Sequence, residues 1–243
     1  MARLALFLLG RFDATLDSQT VTAFKTDKVR ALLAYLAVEN DRAHRRDALA
    51  TLLWPDGSDE AARANLRQSL CRLRDALREN EQATPLLLAT TETIQLNPAG
   101  DYWVDVLEFN RLLAACHAHR HRSLEGCSSC AGRLAQAAAL VGGEFLAGLS
   151  LKDSPGFADW SLVRQEAMHR AAMEALQHLA AHYQQAGNAT DAEFYLQRQA
   201  AMEPWCEPAH QQLMRLYAAS GRRSLAAVQY VQCRRALMEQ LGI

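Results

Sequence analysis

The stretch Ser58-Asp-Glu-Ala-Ala-Arg-Ala-Asn-Leu-Arg-Gln-Ser-Leu-Cys-Arg-Leu-Arg-Asp-Ala-Leu-Arg78 decides how the first part of the chain is read. Leu66, Leu70, Leu73 and Leu77 fall on one helical stripe. Ser58 is placed to cap the helix start, and Asp59 and Glu60 suit the positive end of its dipole. Turning about 100° per residue brings Arg63, Arg67, Arg74 and Arg78 onto one flank of that stripe. Asn65, Gln68 and Arg72 take up the remaining exposed surface. From Arg63 to Arg78 there are five arginines and the single acid Asp75. An apolar back with an arginine-lined front suits a DNA major groove, because Arg, Asn and Gln can each bond two atoms of a base edge. An amphipathic surface helix with solvated arginines is the plainer reading. The flanking sequence decides between them.

At 243 residues, half of them apolar, the chain can bury a sizeable core and is long enough for two domains. The net charge of −1 hides an asymmetry: residues 1–80 hold 13 Lys/Arg against 11 Asp/Glu, and the remainder is acidic. That excludes a general polyanion binder and leaves a local patch as the route to nucleic acid. The apolar run in Met1–Gly10 is too short for a signal peptide, and no cleavage region follows it. No segment reaches the roughly 20 apolar residues of a membrane span. Six cysteines without export signals point to a reducing cytoplasm, and to thiols or a metal rather than disulfides.

Read in order, Leu4 to Leu9 is a short buried strand. Phe12–Leu16 and Gln19–Phe24 are β-segments around a turn at Asp17-Ser18. Asp27 opens a helix ending near Asn40, and a second helix runs from Arg45 to Leu53 after a basic loop. Trp54-Pro-Asp-Gly57 breaks the chain before the arginine helix. Pro85 to Leu96 reads as two strands around a turn at Thr90 to Glu92. Short sheet, three helices and hairpin together predict a winged helix, with the hairpin as its wing.

These residues also resemble a known family. Leu8-Leu-Gly-Arg-Phe12, Lys28-Val-Arg-Ala-Leu-Leu-Ala-Tyr-Leu36, Arg46-Asp-Ala-Leu49, Leu53-Trp-Pro-Asp56 and Ala62-Arg-Ala-Asn-Leu66 with Leu73-Arg74 look like the OmpR-type half of the Streptomyces antibiotic regulatory protein (SARP) family. The resemblance implies that the third helix enters the major groove and that the wing touches the adjacent minor groove or backbone. By position, Arg63, Asn65, Arg67, Gln68, Arg72 and Arg74 become groove contacts. Arg45, Arg46, Thr90, Thr91 and Thr93 become phosphate contacts. Trp54 to Gly57 matches the loop that faces RNA polymerase in related activators, although a core anchor is the simpler role for Trp54.

Asp101-Tyr-Trp-Val-Asp105 opens the second half, with a helix from Asp105 to about Ala118 and another over Leu134–Val141. Asp153-Ser-Pro-Gly156 reads as a loop, and everything from Leu162 onward as helical. Leu179, Tyr183, Gly187, Ala192 and Leu196 recur as Leu213, Tyr217, Gly221, Ala226 and Tyr230, an offset of 34 residues, the tetratricopeptide (TPR) period. Pro204 to Met214, Ser220-Gly-Arg222 and Tyr230 to Gly242 resemble the bacterial transcriptional activator domain (BTAD) of the same family, whose members usually continue beyond this point. The expected architecture is an α+β winged-helix domain over 1–98 and an all-α, TPR-like helical repeat domain over 99–243.

Between two expected helices, Cys116-His-Ala-His-Arg-His-Arg-Ser-Leu-Glu-Gly-Cys-Ser-Ser-Cys130 gathers three cysteines and three histidines. Cys127-x-x-Cys130 has zinc-knuckle spacing, and Cys116 with His119 or His121 could complete a tetrahedral site for a structural zinc ion. An exposed polar loop without a metal is the alternative, and the family pattern does not require the cluster. A redox Cys-x-x-Cys fits less well, because no thioredoxin-like strand precedes it. Cys71, Cys206 and Cys233 fall in helical patterns and are expected to be buried thiols.

The reading is a sequence-specific, DNA-binding transcriptional regulator, an activator by its resemblance, acting on double-stranded DNA at the nucleoid. The family build implies side-by-side protomers on direct repeats and contact with RNA polymerase, with no cofactor required. The rival is a TPR-type interaction scaffold without DNA binding. An enzyme is the weakest class: the sequence holds no phosphate-binding Gly loop, Gly-x-Ser-x-Gly or His-Glu-x-x-His.

Overall fold

A computed structural model describes residues 3–81 and 84–241. A β-rich N-terminal region is followed by helices. Strands β1 (Leu4–Phe7), β2 (Asp13–Leu16) and β3 (Gln19–Thr20) form an antiparallel meander. Leu4, Leu6, Ala14 and Leu16 are buried, the every-other-residue pattern of a sheet with one covered face. Asp17 and Ser18 take φ of 49° and 65°, the left-handed pair that a two-residue hairpin turn requires.

Helix α1 (Asp27–Val38) is the hub of this region. Val29, Ala31, Leu32, Leu33, Ala34, Leu36 and Ala37 are all buried, covering most of its circumference. The chain then forms β4 (His44–Arg45), α2 (Arg46–Leu53) and α3 (Asp59–Ala76). The Ser58 side chain accepts the Ala61 N–H at 3.3 Å, the N-cap expected for α3. Ala62, Leu66, Leu70 and Leu73 are buried beneath that helix. It ends earlier than the leucine spacing suggests: Arg78 takes a left-handed φ of 49°, so it lies past the helix and leaves the arginine flank.

One turn of 3-10 helix (Glu79–Glu81) leads to β5 (Leu87–Ala89) and β6 (Thr93–Leu96), the expected hairpin. Strand β4, read from sequence as loop, pairs with β6, giving the order β4-β6-β5. Strand β7 (Tyr102–Val104) departs from expectation. Instead of opening the second half, it runs parallel to β1 and completes the first sheet in the order β3-β2-β1-β7.

The chain falls into two compact units, Met1–Asn110 with Leu140–His169, and Arg111–Ala139 with Arg170–Ile243. They interleave along the chain, whereas the sequence reading drew one boundary at residue 98. Strand β7 is one physical reason for the difference, and residues 140–169 are the other. Helix α6 (Pro155–Gln185) starts at Pro155 rather than near Leu162, because proline is tolerated in a first turn whose N–H groups have no helical partner. Before it, the Ser154 hydroxyl donates to the Leu53 carbonyl at 2.7 Å. Within the helix, Trp160 Nε1 and Arg164 Nε each donate to Glu39 Oε1 at 2.8 Å.

The second unit takes the later part of α4 (Asp105–His117), most of α5 (Ser128–Leu140), the rest of α6, and α7 (Ala189–Met202), α8 (Glu207–Ala219) and α9 (Arg223–Leu241). Its 34-residue repeat has a geometric counterpart. Gly187 and Gly221 hold φ of 71° and 75°. After each, the next amide reaches back five residues, Asn188 to Tyr183 and Arg222 to Tyr217, at 2.9 and 2.8 Å. That is a helix stop requiring a left-handed residue. Leu179, Ala192, Leu196, Leu213 and Tyr217 are buried. Tyr230 breaks the pattern: it is 55% exposed where its repeat partner Leu196 is fully buried.

Candidate nucleic-acid interface

Helix α3 turns its leucines inward, so Arg63, Asn65, Arg67 and Gln68 stand exposed on its outer face, and Arg72 and Arg74 half-exposed. Arg63, Leu66 and Arg67 of α3, Arg46 and Asp47 of α2, and Ala89, Thr90 and Thr91 of the hairpin line one open concavity of about 670 Å³. Five of the residues expected to contact nucleic acid therefore meet on one surface. Arg46 pins it together, its Nε donating to the Thr90 carbonyl and its amide to the Glu92 carbonyl, both at 2.8 Å. Partial burial, and then the positive charges of Arg74 and Arg67, lower the pKa of Arg46. Three guanidinium groups thus share one positive field.

The remaining expected contacts divide by environment. Arg45 is exposed beside α2, and Thr91 is exposed at the hairpin tip. The Thr90 hydroxyl accepts the amides of Glu92 and Thr93 at 3.1 and 3.0 Å and lies 3.1 Å from the Thr93 hydroxyl. These two threonines shape the turn. Arg74 Nε lies 2.8 Å from Glu79 Oε2, while Glu79 Oε1 accepts the Leu87 amide at 2.7 Å. Arg74 therefore ties the end of α3 to β5 as well as adding positive charge. Sequence reasoning missed Asp47, whose Oδ1 accepts from Arg63 Nε at 2.8 Å. That bond holds the Asp47 carboxyl below the usual carboxylate range. Cys71 is exposed rather than buried, Cys206 is partly exposed, and Cys233 is buried as expected.

A second grouping lies in the loop between α4 and α5 and in the first turn of α5. His119, His121, Cys127 and Cys130 bring one ligand atom each to within 4.8 Å of one another. His119 Nδ1 lies 3.2 Å from Cys130 Sγ and 3.5 Å from Cys127 Sγ, and His121 Nδ1 lies 3.8 Å from Cys130 Sγ. Cys116, the fifth candidate, is buried and points its thiol at the Cys130 carbonyl, 3.7 Å away. Backbone N–H groups of Cys130 and Ser129 face the Cys127 sulfur and lower its pKa, whereas burial pushes the Cys130 thiol up to about 11. The arrangement is that of a soft N/S donor set able to hold a metal ion.

Residues 104–243, more than half of the chain, match the family model described as Bacterial transcriptional activator domain. The chain belongs to the bacterial transcriptional activator domain family. This family is one of transcription regulators and is not an enzyme class. A solved structure described as Mycobacterium tuberculosis EmbR in complex with low affinity phosphopeptide is similar to this BTAD protein, with 26% identity and a TM-score of 0.71. The likeness covers 100% of this chain and 62% of the EmbR chain, so this BTAD protein spans less than two thirds of its relative. No curated protein matches it. The SARP-like recognition made from the sequence stands on the family match and the EmbR likeness together. No helix among the described residues is long and apolar enough to cross a membrane.

Proposed function

We propose that this regulator reads double-stranded DNA with α3, in a winged helix whose helix-turn-helix is α2 and α3 and whose wing is β5-β6. The observation that carries the reading is the concavity in which Arg46, Arg63, Arg67, Thr90 and Thr91 meet. A helix in the major groove and a hairpin beside it would place base-reading and phosphate-holding groups on one continuous surface. Arg67, Asn65, Gln68 and Arg72 are the base readers in this proposal. Arg45, Arg46 and Thr91 hold phosphates.

The activity completes itself through partners. The family build supports two protomers side by side on direct repeats, and RNA polymerase contact through the exposed Pro55-Asp56-Gly57 loop after the half-buried Trp54. Lys28 Nζ lies 5.2 Å from the Trp54 ring centre, which supports an anchoring role for the indole and leaves the loop tip for the partner. Under this reading the protein acts at the nucleoid in the bacterial cytoplasm as a regulator rather than an enzyme.

Selection of bound fragments from random DNA, followed by anisotropy on the winner from about 50 to 200 mM salt, tests the reading. A repeated motif with a steep salt slope supports it. The absence of any enriched motif would favour an interaction scaffold, indifferent to the arginines of α3.

A further inference from the structure

The Cys/His grouping of the second unit takes no part in the proposed reading of DNA. We propose that His119, His121, Cys127 and Cys130 bind one zinc ion, which clamps the loop between α4 and α5. Tetrahedral zinc with bonds of roughly 2.3 Å to sulfur and 2.0–2.1 Å to nitrogen holds neighbouring ligand atoms roughly 3.3–3.8 Å apart. Three of the four nitrogen–sulfur separations here are 3.2, 3.5 and 3.8 Å, and all four donor atoms lie within 4.8 Å of one another.

Hydrogen bonding alone accounts poorly for this convergence. His119 Nδ1 approaches two sulfurs but can carry only one proton, and both imidazoles approach the Cys130 sulfur. A cation at the common centre satisfies all four groups. Two thiolates also neutralise a divalent ion, which suits Cys130, a fully buried residue. Binding releases the two thiol protons and the ion's displaced waters.

The surroundings are built to present these ligands. Cys127 immediately precedes α5 and Cys130 lies in its first turn, so the helix start sets the spacing of the two sulfurs. The Ala131 amide bonds the Cys127 carbonyl at 2.9 Å, and the Cys127 amide bonds the Leu124 carbonyl at 3.1 Å. Further back, the Glu125 carboxylate accepts from His178 at 3.1 Å, holding the loop against α6. Residues 118–127 contain one large apolar side chain, Leu124, to anchor them. A metal supplies the cross-link that an apolar core would otherwise provide.

Elemental analysis of the whole untagged chain, purified without chelators, tests the proposal. About one zinc per chain is expected, with near-complete loss in Cys127→Ser and in His121→Ala, where His121 is exposed and its removal leaves the core intact. Cys116→Ser should keep the full complement. Adding cobalt(II) to reduced, metal-free protein should give the visible absorption of a tetrahedral thiolate site. Zinc near zero with no cobalt spectrum would overturn the proposal, as would full zinc in the folded His121→Ala variant. A Cys127–Cys130 disulfide that persists in reductant would also overturn it, because both sulfurs would then be unable to ligate the ion as thiolates.

Discussion

Arg63 of α3 donates to the Asp47 carboxylate of α2 at 2.8 Å, across the floor of the concavity proposed to receive DNA. Both side chains are more than half exposed, so the pair contributes little to stability. Its importance is electrostatic: Asp47 places a negative charge among Arg46, Arg63 and Arg67, where phosphate is meant to come. The acid therefore moderates affinity and holds Arg63 in place.

Asp47→Ala should tighten DNA binding about threefold to tenfold at low salt while leaving thermal stability unchanged. With Arg63 free for a phosphate, the slope of log K against log salt should steepen by roughly 1. Anisotropy titrations across a salt series measure both. Weaker binding by the alanine variant would mean that Asp47 serves chiefly to orient Arg63, and the reading of the concavity would need revision.

Arg67 and Arg74 look equivalent in the sequence and should behave differently. Arg67→Ala removes an exposed arginine facing the concavity and should weaken specific binding about fivefold or more with the fold intact, on about 1–3 kcal/mol per base contact. Arg74→Ala also breaks the tie to Glu79, whose side chain is only 8% exposed. It should lower the unfolding midpoint, by about 1 kcal/mol of stability, the scale of a partly exposed ion pair, besides any effect on DNA. Circular dichroism melts beside the binding curves separate the two effects. Unchanged specific affinity in folded Arg67→Ala removes α3 from recognition.

The contrast between those arginines shows where the sequence could be read and where it could not. The α3 stripe, the Ser58 cap, the β5-β6 hairpin and the two glycine helix stops are written in residues close together in the chain, so periodicity and turn chemistry expose them. The His119, His121, Cys127 and Cys130 grouping proposed to hold zinc is likewise local, spanning only residues 119–130. Strand β7 is different. Three residues, Tyr102-Trp-Val104, have too short a pattern to reveal a parallel partner nearly a hundred positions away. Asp47 and Glu79 are likewise invisible as partners of Arg63 and Arg74 until helices and hairpin are packed. The start of α6 was obscured because Pro155-Gly156 carries a loop signature, whereas contacts to Leu53 and Glu39 make it a helix start.

Cys71 offers a footprint of the interface without altering charge. It is exposed on α3, one turn from both Arg67 and Arg74. A bulky maleimide on this thiol should abolish specific DNA binding, and bound operator should slow its labelling. Cys71→Ser should bind DNA normally and survive the same treatment, which controls for labelling at Cys127 and Cys206. Labelled Cys71 with undiminished affinity would show that DNA does not cover this face.

Asp105 carries the pH prediction for the first unit. Its Oδ2 accepts the Leu8 and Leu9 amides at 2.7 and 2.8 Å, and its Oδ1 accepts the Val106 amide at 2.7 Å. Burial raises its pKa above the ordinary carboxylate value, outweighing the opposing pull of these backbone bonds. The folded state thus binds this proton more tightly than the unfolded chain. The contribution is most favourable below the unfolded pKa and is progressively lost as pH rises through the raised folded value. Asp105→Asn does not titrate, so its stability cost relative to the native residue should be larger in acid than at neutral pH. Asp105→Ala also leaves the Leu8 and Leu9 amides buried without an acceptor and should cost about 2–4 kcal/mol, again more in acid than at neutral pH, because alanine does not titrate either. Denaturant unfolding of all three proteins between about pH 4 and 7 gives the comparison. An asparagine cost that grows with pH would reverse the assigned direction and mean that the three backbone bonds, rather than burial, govern this carboxylate.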